Sequence, residues 1–279
     1  MERTIQHQVT GFRTQDGAGV HLVRVLGNRT VADYDPLLLM DSFDSRNPAE
    51  YTAGFPLHPH RGIETISYVY HGAMTHKDSL GNEETIGDGE VQWMTAGSGI
   101  MHEERLPAAE RLLGVQLWLN LPAKDKMVSP AYHSIKTAEI EEIELKEGKL
   151  RLLAGAYEGR TGYTSGYLPL DYYDIHLDAH ASAVVETDSA RSVTLFTLLG
   201  EAYVGGELVR EKTAVKLSPG DQVKIRAGDA NAQVLFMSSR SLAEPIAWGG
   251  PIVMNTREEL NEAFDDLDRG SFLRDKIAY

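Results

Sequence analysis

The sequence feature that most constrains the fold is a recurring series of short runs in which apolar and β-branched residues follow a period of two. The clearest runs are residues 63–70 (IETISYVY), 112–121 (LLGVQLWLNL), 192–199 (SVTLFTLL) and 233–238 (QVLFMS). Gly, Asp and Pro, which tight turns favour, bound these runs. The pattern predicts half-buried strands, and the intervals between runs favour a β-sandwich or barrel over β–α–β units.

One helix is predicted, near the C-terminal end of the sequence. Thr256 followed by Glu259 matches a capping box, and Gly270 is a typical helix stop signal. Between them lies an apolar stripe at helical spacing, formed by Leu260, Ala263, Phe264 and Leu267. The acidic residues of the other face are interpreted as solvated surface.

The length of the chain favours two domains, because globular domains cluster near roughly 100–150 residues and this sequence has 279. The segment 136–149 (KTAEIEEIELKEGK) is dense in charge and marks a boundary. We therefore predict an N-terminal domain over residues 1–135 and a C-terminal domain over residues 136–279.

A faint internal repeat supports two related domains. The spacing from Gly72 to Gly99 in the first half is similar to the spacing from Gly200 to Gly228 in the second half. Two copies of one β-unit would account for the whole length.

The composition narrows the possible functions. Acidic residues outnumber basic residues by 41 to 27, and the net charge of −14 disfavours direct binding to nucleic acid. Cysteine is absent, which excludes disulfides, thiolate zinc sites, iron–sulfur clusters and a cysteine nucleophile. The N-terminal residues lack a secretory signal pattern, and no apolar run approaches the roughly 20 residues that span a bilayer. A cytoplasmic protein without a membrane partner is the expectation.

Two pairs of residues are candidate metal ligands. The first pair is His58 and His60 around Pro59, and the second is His102 with Glu104. Residues i and i+2 of a strand point to the same face, so each pair can direct two side chains at one ion. Together they offer three nitrogens and one carboxylate, with positions left for a substrate and O₂ or water. Neither pair is specific alone, since a chain with ten histidines contains about one H-x-E by chance.

Longer stretches around these pairs resemble a known family. Residues 55–82 (FPLHPHRGIETISYVYHGAMTHKDSLGN), 91–104 (VQWMTAGSGIMHEE) and 114–133 (GVQLWLNLPAKDKMVSPAYH) closely resemble the pirin family of the cupin superfamily. Residues 249–264 (GGPIVMNTREELNEAF) resemble its C-terminal signature. The resemblance covers nearly the whole chain and implies an all-β bicupin, in which two antiparallel β-barrel (jelly-roll) domains lie face to face. A short C-terminal helix completes the predicted fold.

The resemblance also implies one metal ion, held in the N-terminal domain only. Pirins bind a metal, usually iron, through three histidines and one glutamate, at positions that match His58, His60, His102 and Glu104. Such a ligand set also accepts Mn, Co, Ni, Cu or Zn. We therefore expect one divalent ion per chain, with iron as the leading candidate.

Two other carboxylates stand close to the motifs. Typical cupins take their carboxylate ligand from the first motif, where this sequence has Glu64. Strand parity does not exclude Glu64, and the family match favours Glu104. Glu103 has the opposite parity to His102 and is the weakest candidate.

The second half of the chain departs from a metal site. By the glycine spacing, Asn231 corresponds to His102. His176 and His180 are four residues apart, which suits a helix, but their alternating surroundings (DYYDIHLDAHA) indicate a strand. We interpret both as surface or strand residues and predict that the C-terminal domain has lost its metal site.

The resemblance implies an enzyme. Several pirins are similar to quercetin 2,3-dioxygenases, which cleave flavonols with O₂ and release carbon monoxide, and Glu104 would then be both ligand and proton acceptor. Some pirins instead act as redox-responsive cofactors of transcription factors or metabolic enzymes, and a net charge of −14 would suit a basic protein partner. A cupin with an unrelated small-molecule substrate is a third interpretation.

Other residues near the motifs have two interpretations each. His76 either reaches a bound ligand or lies in a solvent-facing turn. A set of large side chains either lines an apolar pocket at the barrel mouth or, as is commoner on barrel strands, belongs to the core: Phe43, Phe55, Tyr68, Met74, Trp93, Met94 and Trp118.

Overall fold

Strands dominate the computed structural model, which describes residues 1–274. The strands of the first half are β1 (Ile5–Thr10), β2 (Phe12–Asp16), β3 (Val20–Leu26), β4 (Leu37–Ser45), β5 (Phe55–His60), β6 (Ile63–His71), β7 (Met74–Asp78), β8 (Glu83–Ile86), β9 (Glu90–Thr95), β10 (Ile100–Arg105), β11 (Leu112–Asn120) and β12 (Ala131–Ile135). The strands that follow are β13 (Glu141–Leu145), β14 (Gly148–Ala154), β15 (Ala156–Tyr157), β16 (Arg160–Thr161), β17 (Leu170–Leu177), β18 (Ser182–Glu186), β19 (Ser192–Leu199), β20 (Ala202–Val204), β21 (Glu207–Val209), β22 (Thr213–Leu217), β23 (Gln222–Ala227), β24 (Ala232–Ser239), β25 (Ala247–Gly249) and β26 (Ile252–Met254). The helices are α1 (Val31–Tyr34) and α2 (Arg257–Asp268), and short 3₁₀ turns cover Pro48–Glu50, Ala123–Asp125 and Thr137–Glu139.

The predicted strands and helix are confirmed. The four alternating runs become β6, β11, β19 and β24, with shifts of at most one residue at their ends. Helix α2 begins after a complete capping box, in which Thr256 Oγ1 accepts from the Glu259 backbone N–H at 3.1 Å. The Glu259 carboxylate accepts from the Thr256 backbone N–H at 3.0 Å. Local capping chemistry therefore defines where this helix starts.

The sheets occur as two sets with the same strand order. One set has a seven-stranded sheet, β12-β9-β6-β11-β4-β3-β2, and a four-stranded sheet, β5-β10-β7-β8. The other set has β1-β22-β19-β24-β17-β14-β13 and β18-β23-β20-β21. The two orders correspond strand for strand, so the internal repeat is present in the topology. The predicted all-β bicupin is confirmed, although each jelly roll is a pair of sheets and not a closed ring of strands.

The chain forms two compact units that exchange terminal segments. Unit A contains residues 13–24, 37–136 and 242–274, whereas unit B contains Met1–Phe12, Val25–Pro36 and Thr137–Ser241. Strand β1 therefore pairs with β22 in unit B, and β25, β26 and α2 belong to unit A. Terminal segments cross the predicted domain boundary after residue 135 in both directions. The boundary itself stays a prediction.

The strand orders correct one sequence-based correspondence. Strand β10, which carries His102, corresponds to β23 in unit B. Asn231 lies in the loop after β23, so it is not the counterpart of His102. The glycine spacing misled because Gly99 precedes β10 whereas Gly228 follows β23.

Neither helix within residues 1–274 has the length and apolar character that crossing a membrane requires.

Candidate metal centre

Three imidazoles converge on the four-stranded sheet of unit A. His58 and His60 project from β5, and His102 projects from the neighbouring antiparallel strand β10, directly opposite His58. One nitrogen of each ring lies within 4.8 Å of the other two, and the Nε2 atoms of His58 and His60 are 3.1 Å apart. His60 and His102 are buried, whereas His58 is only partly buried. Solvent therefore reaches this three-histidine cluster from the His58 side.

Backbone carbonyls fix the protons of two of these rings. The Nδ1 atom of His58 lies 2.8 Å from the Pro56 carbonyl, and that of His60 lies 2.9 Å from the Pro251 carbonyl. A carbonyl oxygen only accepts hydrogen bonds, so each Nδ1 carries the proton and donates it. When both rings are neutral, the two Nε2 atoms therefore face each other as lone pairs.

The third ring completes a donor set that fits a metal ion. His102 Nε2 is buried and has no hydrogen-bond partner among residues 1–274. Burial, together with His58 and His60, holds the pKa of His102 well below its ordinary value, and burial lowers the pKa of His60 to about 3. Neutral imidazoles whose unshared pairs converge repel one another unless a cation lies between them. These three histidines could therefore hold a metal ion.

Glu104 lies beside the cluster and is held by two glutamines. Gln92 Nε2 donates to Oε1 at 2.7 Å, and Gln116 Nε2 donates to Oε1 and Oε2 at 3.1 and 2.9 Å. A register shift separates Glu104 from His102 on β10, and Glu104 is not a member of the 4.8 Å cluster. Its part as fourth ligand stays a prediction, because the glutamine amides engage both of its oxygens.

The other two carboxylates point elsewhere. Ser67 on β6 faces the site, because its hydroxyl oxygen accepts from Gln92 and Gln116. Glu64 stands three residues before Ser67 and so lies on the opposite face of the strand. It accepts a hydrogen bond from Thr95 Oγ1 at 2.7 Å. Glu103 alternates with His102 and lies 3.7 Å from the Arg105 guanidinium. Strand parity therefore separates both residues from the cluster.

Few of the large side chains near the motifs reach the cluster. The Trp118 ring meets His60 edge-on, with centroids 5.0 Å apart, and lies 5.7 Å from the Trp248 ring. Tyr68 and Trp93 share the Glu64 face of the sheet, since Trp93 pairs with Ile66 in register. Phe43 and Met74 belong to the apolar core of unit A, with Phe55 packed against it.

His76 is fully buried, so it is not part of a solvent-facing turn.

The C-terminal segment of unit A supports the cluster through Arg61. This buried guanidinium donates to the Ser98 carbonyl at 2.7 Å, to Asp266 at 2.9 Å and to the Phe272 carbonyl at 3.0 Å. It also stacks 4.3 Å above the Phe272 ring. Because Arg61 follows His60 in sequence, these bonds tie the segment that supplies the Pro251 carbonyl to strand β5.

A buried lysine makes a second connection. Lys126 Nζ donates to the Gly62 carbonyl at 2.8 Å, to Asn120 Oδ1 at 2.7 Å and to the Val253 carbonyl at 3.0 Å. One ammonium group thus joins the turn after β5 to strand β26. Burial lowers the pKa of Lys126 to about 7.

Unit B has a different interior in the corresponding sheet. Val185 on β18 and Val223 and Ile225 on β23 belong to a continuous apolar core. His176 lies on β17, hydrogen-bonded to Asp174 at 2.8 Å, and His180 lies in an exposed turn with φ of +63°. Among residues 1–274 the cluster of His58, His60 and His102 is the one group of three potential metal-ligating side chains found.

Sequence reasoning missed several residues of the site. Gln92 and Gln116 are polar side chains on the inward-facing parity of otherwise apolar strands, which is a signal that could have identified them. The Pro251 carbonyl left no signal, because any residue has a carbonyl and this one lies 191 residues from His60. Asp78, the partner of His76, is also unrecognised from sequence alone.

Two jelly rolls of common topology, one with a histidine cluster on its four-stranded sheet, define a bicupin with a candidate metal centre. Comparison with known families refines this class. The family model described as pirin matches residues 19–119, and the model of the pirin C-terminal cupin domain matches residues 172–273. The chain belongs to the pirin family.

Individual relatives agree with this assignment. A pirin-like protein of Caulobacter vibrioides is 40% identical over 276 residues, covering 97% of this chain and 99% of the relative. A protein of Pseudomonas aeruginosa, named provisionally as quercetin 2,3-dioxygenase, is 38% identical over 271 residues and covers 94% and 95%. A crystal structure described as quercetin 2,3-dioxygenase from Acinetobacter baumannii superposes with a TM-score of 0.90 at 31% identity, covering 98% and 99%.

Proposed function

We propose that this pirin is a metal-dependent dioxygenase that cleaves flavonols with O₂ in the manner of quercetin 2,3-dioxygenase. Iron is the proposed metal. One observation carries the proposal: three imidazole nitrogens lie within 4.8 Å of one another at a place that solvent reaches past His58, near the buried carboxylate of Glu104. The names of relatives from Pseudomonas and Acinetobacter support the substrate class.

The proposed ligands are His58, His60, His102 and Glu104. When bound, a divalent metal supplies Lewis acidity and, for iron, a one-electron redox couple. The Pro56 and Pro251 carbonyls orient two of the imidazoles by accepting their Nδ1 protons. The protein thus arranges the donor atoms before the ion arrives.

Glu104 is proposed to accept the proton of the flavonol 3-hydroxyl group. Gln92 and Gln116 bind its carboxylate with neutral amide donors, which orient the oxygens without a competing cation. A carboxylate placed in this way can take up a proton from an incoming hydroxyl.

Trp118 and Trp248 are proposed to form the flat apolar surface that a flavonol requires. Trp118 contacts His60 edge-on, and Trp248 lies against Trp118. Aromatic faces bind planar rings with favourable stacking geometry.

An anaerobic reconstitution experiment tests the activity. Apoprotein is loaded with Fe(II), Mn(II), Co(II), Ni(II) or Cu(II), quercetin is added, and O₂ is then admitted while flavonol absorbance and carbon monoxide are measured. We expect flavonol loss with matching carbon monoxide, and a fall of roughly 10²–10⁴-fold in the Glu104→Gln protein. His176→Ala in unit B is the matched control and should keep the wild-type rate. No flavonol loss with any of these metals would refute the proposal.

The metal in the cell is a separate question. Three imidazoles and a carboxylate accept several divalent ions, and intrinsic affinity favours copper. Elemental analysis of protein purified without a chelating column should find iron, and a different stoichiometric metal would replace iron in the proposal.

The acidic composition favours a second candidate function. A net charge of −14 suits a basic protein partner, as expected for a redox-responsive regulator of a transcription factor or metabolic enzyme. A pull-down should then recover a stoichiometric partner that the His58→Ala and Glu104→Ala proteins lose. Normal binding by both variants would contradict metal-dependent regulation.

A cytoplasmic location stays a prediction that cell fractionation can test.

A further inference from the structure

A fourth histidine, which is fully buried, lies behind the cluster. His76 on β7 is fully buried, and its Nδ1 is 3.3 Å from Nδ1 of His102 on the neighbouring strand. Its Nε2 is 2.9 Å from Asp78 Oδ2. The His76 ring stacks on Tyr132, with centroids 4.1 Å apart and planes 9° apart. Contacts on three sides therefore fix the orientation of this ring.

Hydrogen-bond donors around Asp78 determine where the protons lie. Asp78 accepts from the backbone N–H groups of Leu80 and Asn82 and from the Asn82 side chain. A carboxylate so engaged is an acceptor, so the proton between Asp78 and His76 belongs to His76 Nε2. In the neutral ring, Nδ1 of His76 then offers a lone pair, and Nδ1 of His102 donates to it.

The same conclusion follows from the other side of His102. A proton on His102 Nε2 would lie buried without an acceptor among residues 1–274. The tautomer with the proton on Nδ1 avoids that cost and leaves the Nε2 lone pair facing His58 and His60.

We propose that Asp78 and His76 form a positioning pair that fixes the tautomer of His102 and aims its Nε2 lone pair into the three-histidine cluster. This inference rests on the metal-binding part of the proposed function and is independent of the substrate. His58 and His60 are oriented by neutral carbonyls, whereas His102 is oriented through a chain that ends at a carboxylate. Such a chain raises the basicity of a ligand more than a carbonyl does.

The Asp78→Asn variant provides the sharpest test. Oδ1 of Asp78 faces two backbone N–H groups, so the asparagine oxygen should take that place and its NH₂ group should face His76. The chain of donors then reverses, and His102 should carry its proton on Nε2. His76→Phe keeps the aromatic stack but removes the acceptor, whereas His76→Gln can supply both an amide oxygen and an amide N–H.

Two measurements read out the prediction without any turnover. Long-range ¹H–¹⁵N spectra of histidine-labelled apoprotein report the tautomer of His102, and competition titrations report the Kd for Ni²⁺. We expect the Nδ1–H tautomer in wild type, the Nε2–H tautomer in Asp78→Asn, and a Kd raised roughly 10–100-fold in Asp78→Asn and His76→Phe. His76→Gln should retain the wild-type tautomer and most of the affinity.

The matched control is a double variant of the Asp174–His176 pair in unit B, which has the same spacing and a similar 2.8 Å bond. Asp174→Asn with His176→Phe should leave both measurements unchanged. Wild-type His102 protonated at Nε2, or an Asp78→Asn protein with unchanged tautomer and Kd, would overturn the inference. If His76→Phe does not fold, the nearly isosteric Asp78→Asn variant decides. Absence of flavonol cleavage would count against the enzyme proposal alone.

Discussion

Glu104 depends on its polar neighbours, because its buried carboxylate has two glutamine partners. Gln116 donates to both oxygens, whereas Gln92 donates to one. Replacing Gln116 by Leu leaves a buried acceptor short of a partner, which costs about 2 kcal/mol of unfolding free energy in the apoprotein. Gln92→Leu should cost less. Urea unfolding of the two variants checks the order, and a larger loss in Gln92→Leu would contradict it.

A second prediction at this scale concerns the pH dependence of Lys126. Burial lowers the pKa of this amine to about 7, from an ordinary value of 10.5. Between these values the unfolded chain holds a proton that the folded chain has released, so this lysine makes the unfolding free energy rise with pH. The contribution is at most about 1.4 kcal/mol per pH unit.

Lys126→Met removes this contribution. The difference in unfolding free energy between wild type and variant should grow from pH 7 to pH 10, and chemical denaturation at several pH values measures it. The variant should also be less stable by about 3 kcal/mol at pH 7, because the Gly62 and Val253 carbonyls lose a donor. A difference independent of pH would show that Lys126 stays charged when the protein is folded.

Single residues differ in how far the sequence foretells their role. The i, i+2 spacing places His58 and His60 on one face of β5 because strand parity is a local property, whereas His102 joins them through the pairing of β10 with β5. The family match favours Glu104 over Glu64, and Glu64 lies on the opposite face of its sheet from Gln116 and Ser67. Two interpretations of His76 stay open in the sequence because His102 meets it only through the pairing of β10 with β7.

At the scale of elements, the C-terminal segment over residues 242–274 acts as a support for strand β5. Arg61→Met would leave the Ser98 and Phe272 carbonyls and Asp266 without their donor, a loss of about 3 kcal/mol for a buried group of this kind. We expect faster proteolysis within residues 242–274. The Kd for Ni²⁺ should rise roughly tenfold, because the Pro251 carbonyl orients His60.

Arg269 offers a control for this experiment. It pairs with Asp265 on the exposed face of α2, at 3.2 Å, and exposed pairs contribute little. Arg269→Gln should therefore leave both proteolysis and Ni²⁺ binding unchanged. Equal behaviour of the Arg61 and Arg269 variants would show that the segment does not support the site.

Strands and helices also differ in how far the sequence predicts them. Strand β19 and helix α2 are predictable from sequence because alternation and capping act within a few residues. The pairing of β1 with β22 is not, since nothing local in β1 records a partner some two hundred residues away. The Asn231 error arose at this scale, because turn glycines mark ends of strands without saying which strand.

At the scale of the whole molecule, metal binding should raise the free energy of unfolding. A ligand that binds only the folded state at about 100 times its Kd adds about 2.7 kcal/mol to the unfolding free energy. We expect Ni²⁺ to stabilise wild type by this amount, and His102→Ala to abolish the gain. Thermal or urea unfolding with and without chelator measures it. Equal stabilisation of the His102→Ala protein would place the ion elsewhere in the chain.

The bond from His60 to the Pro251 carbonyl also sets an order of events during synthesis. The two residues are 191 positions apart, so both histidines of β5 leave the ribosome long before that carbonyl exists. Strand β1, the earliest made, likewise waits for β22 before it can pair. His60 in the candidate metal site lacks its Nδ1 acceptor until residue 251 has been made. A chain interrupted before Pro251 therefore cannot orient the His60 ring as a chain that contains this residue does.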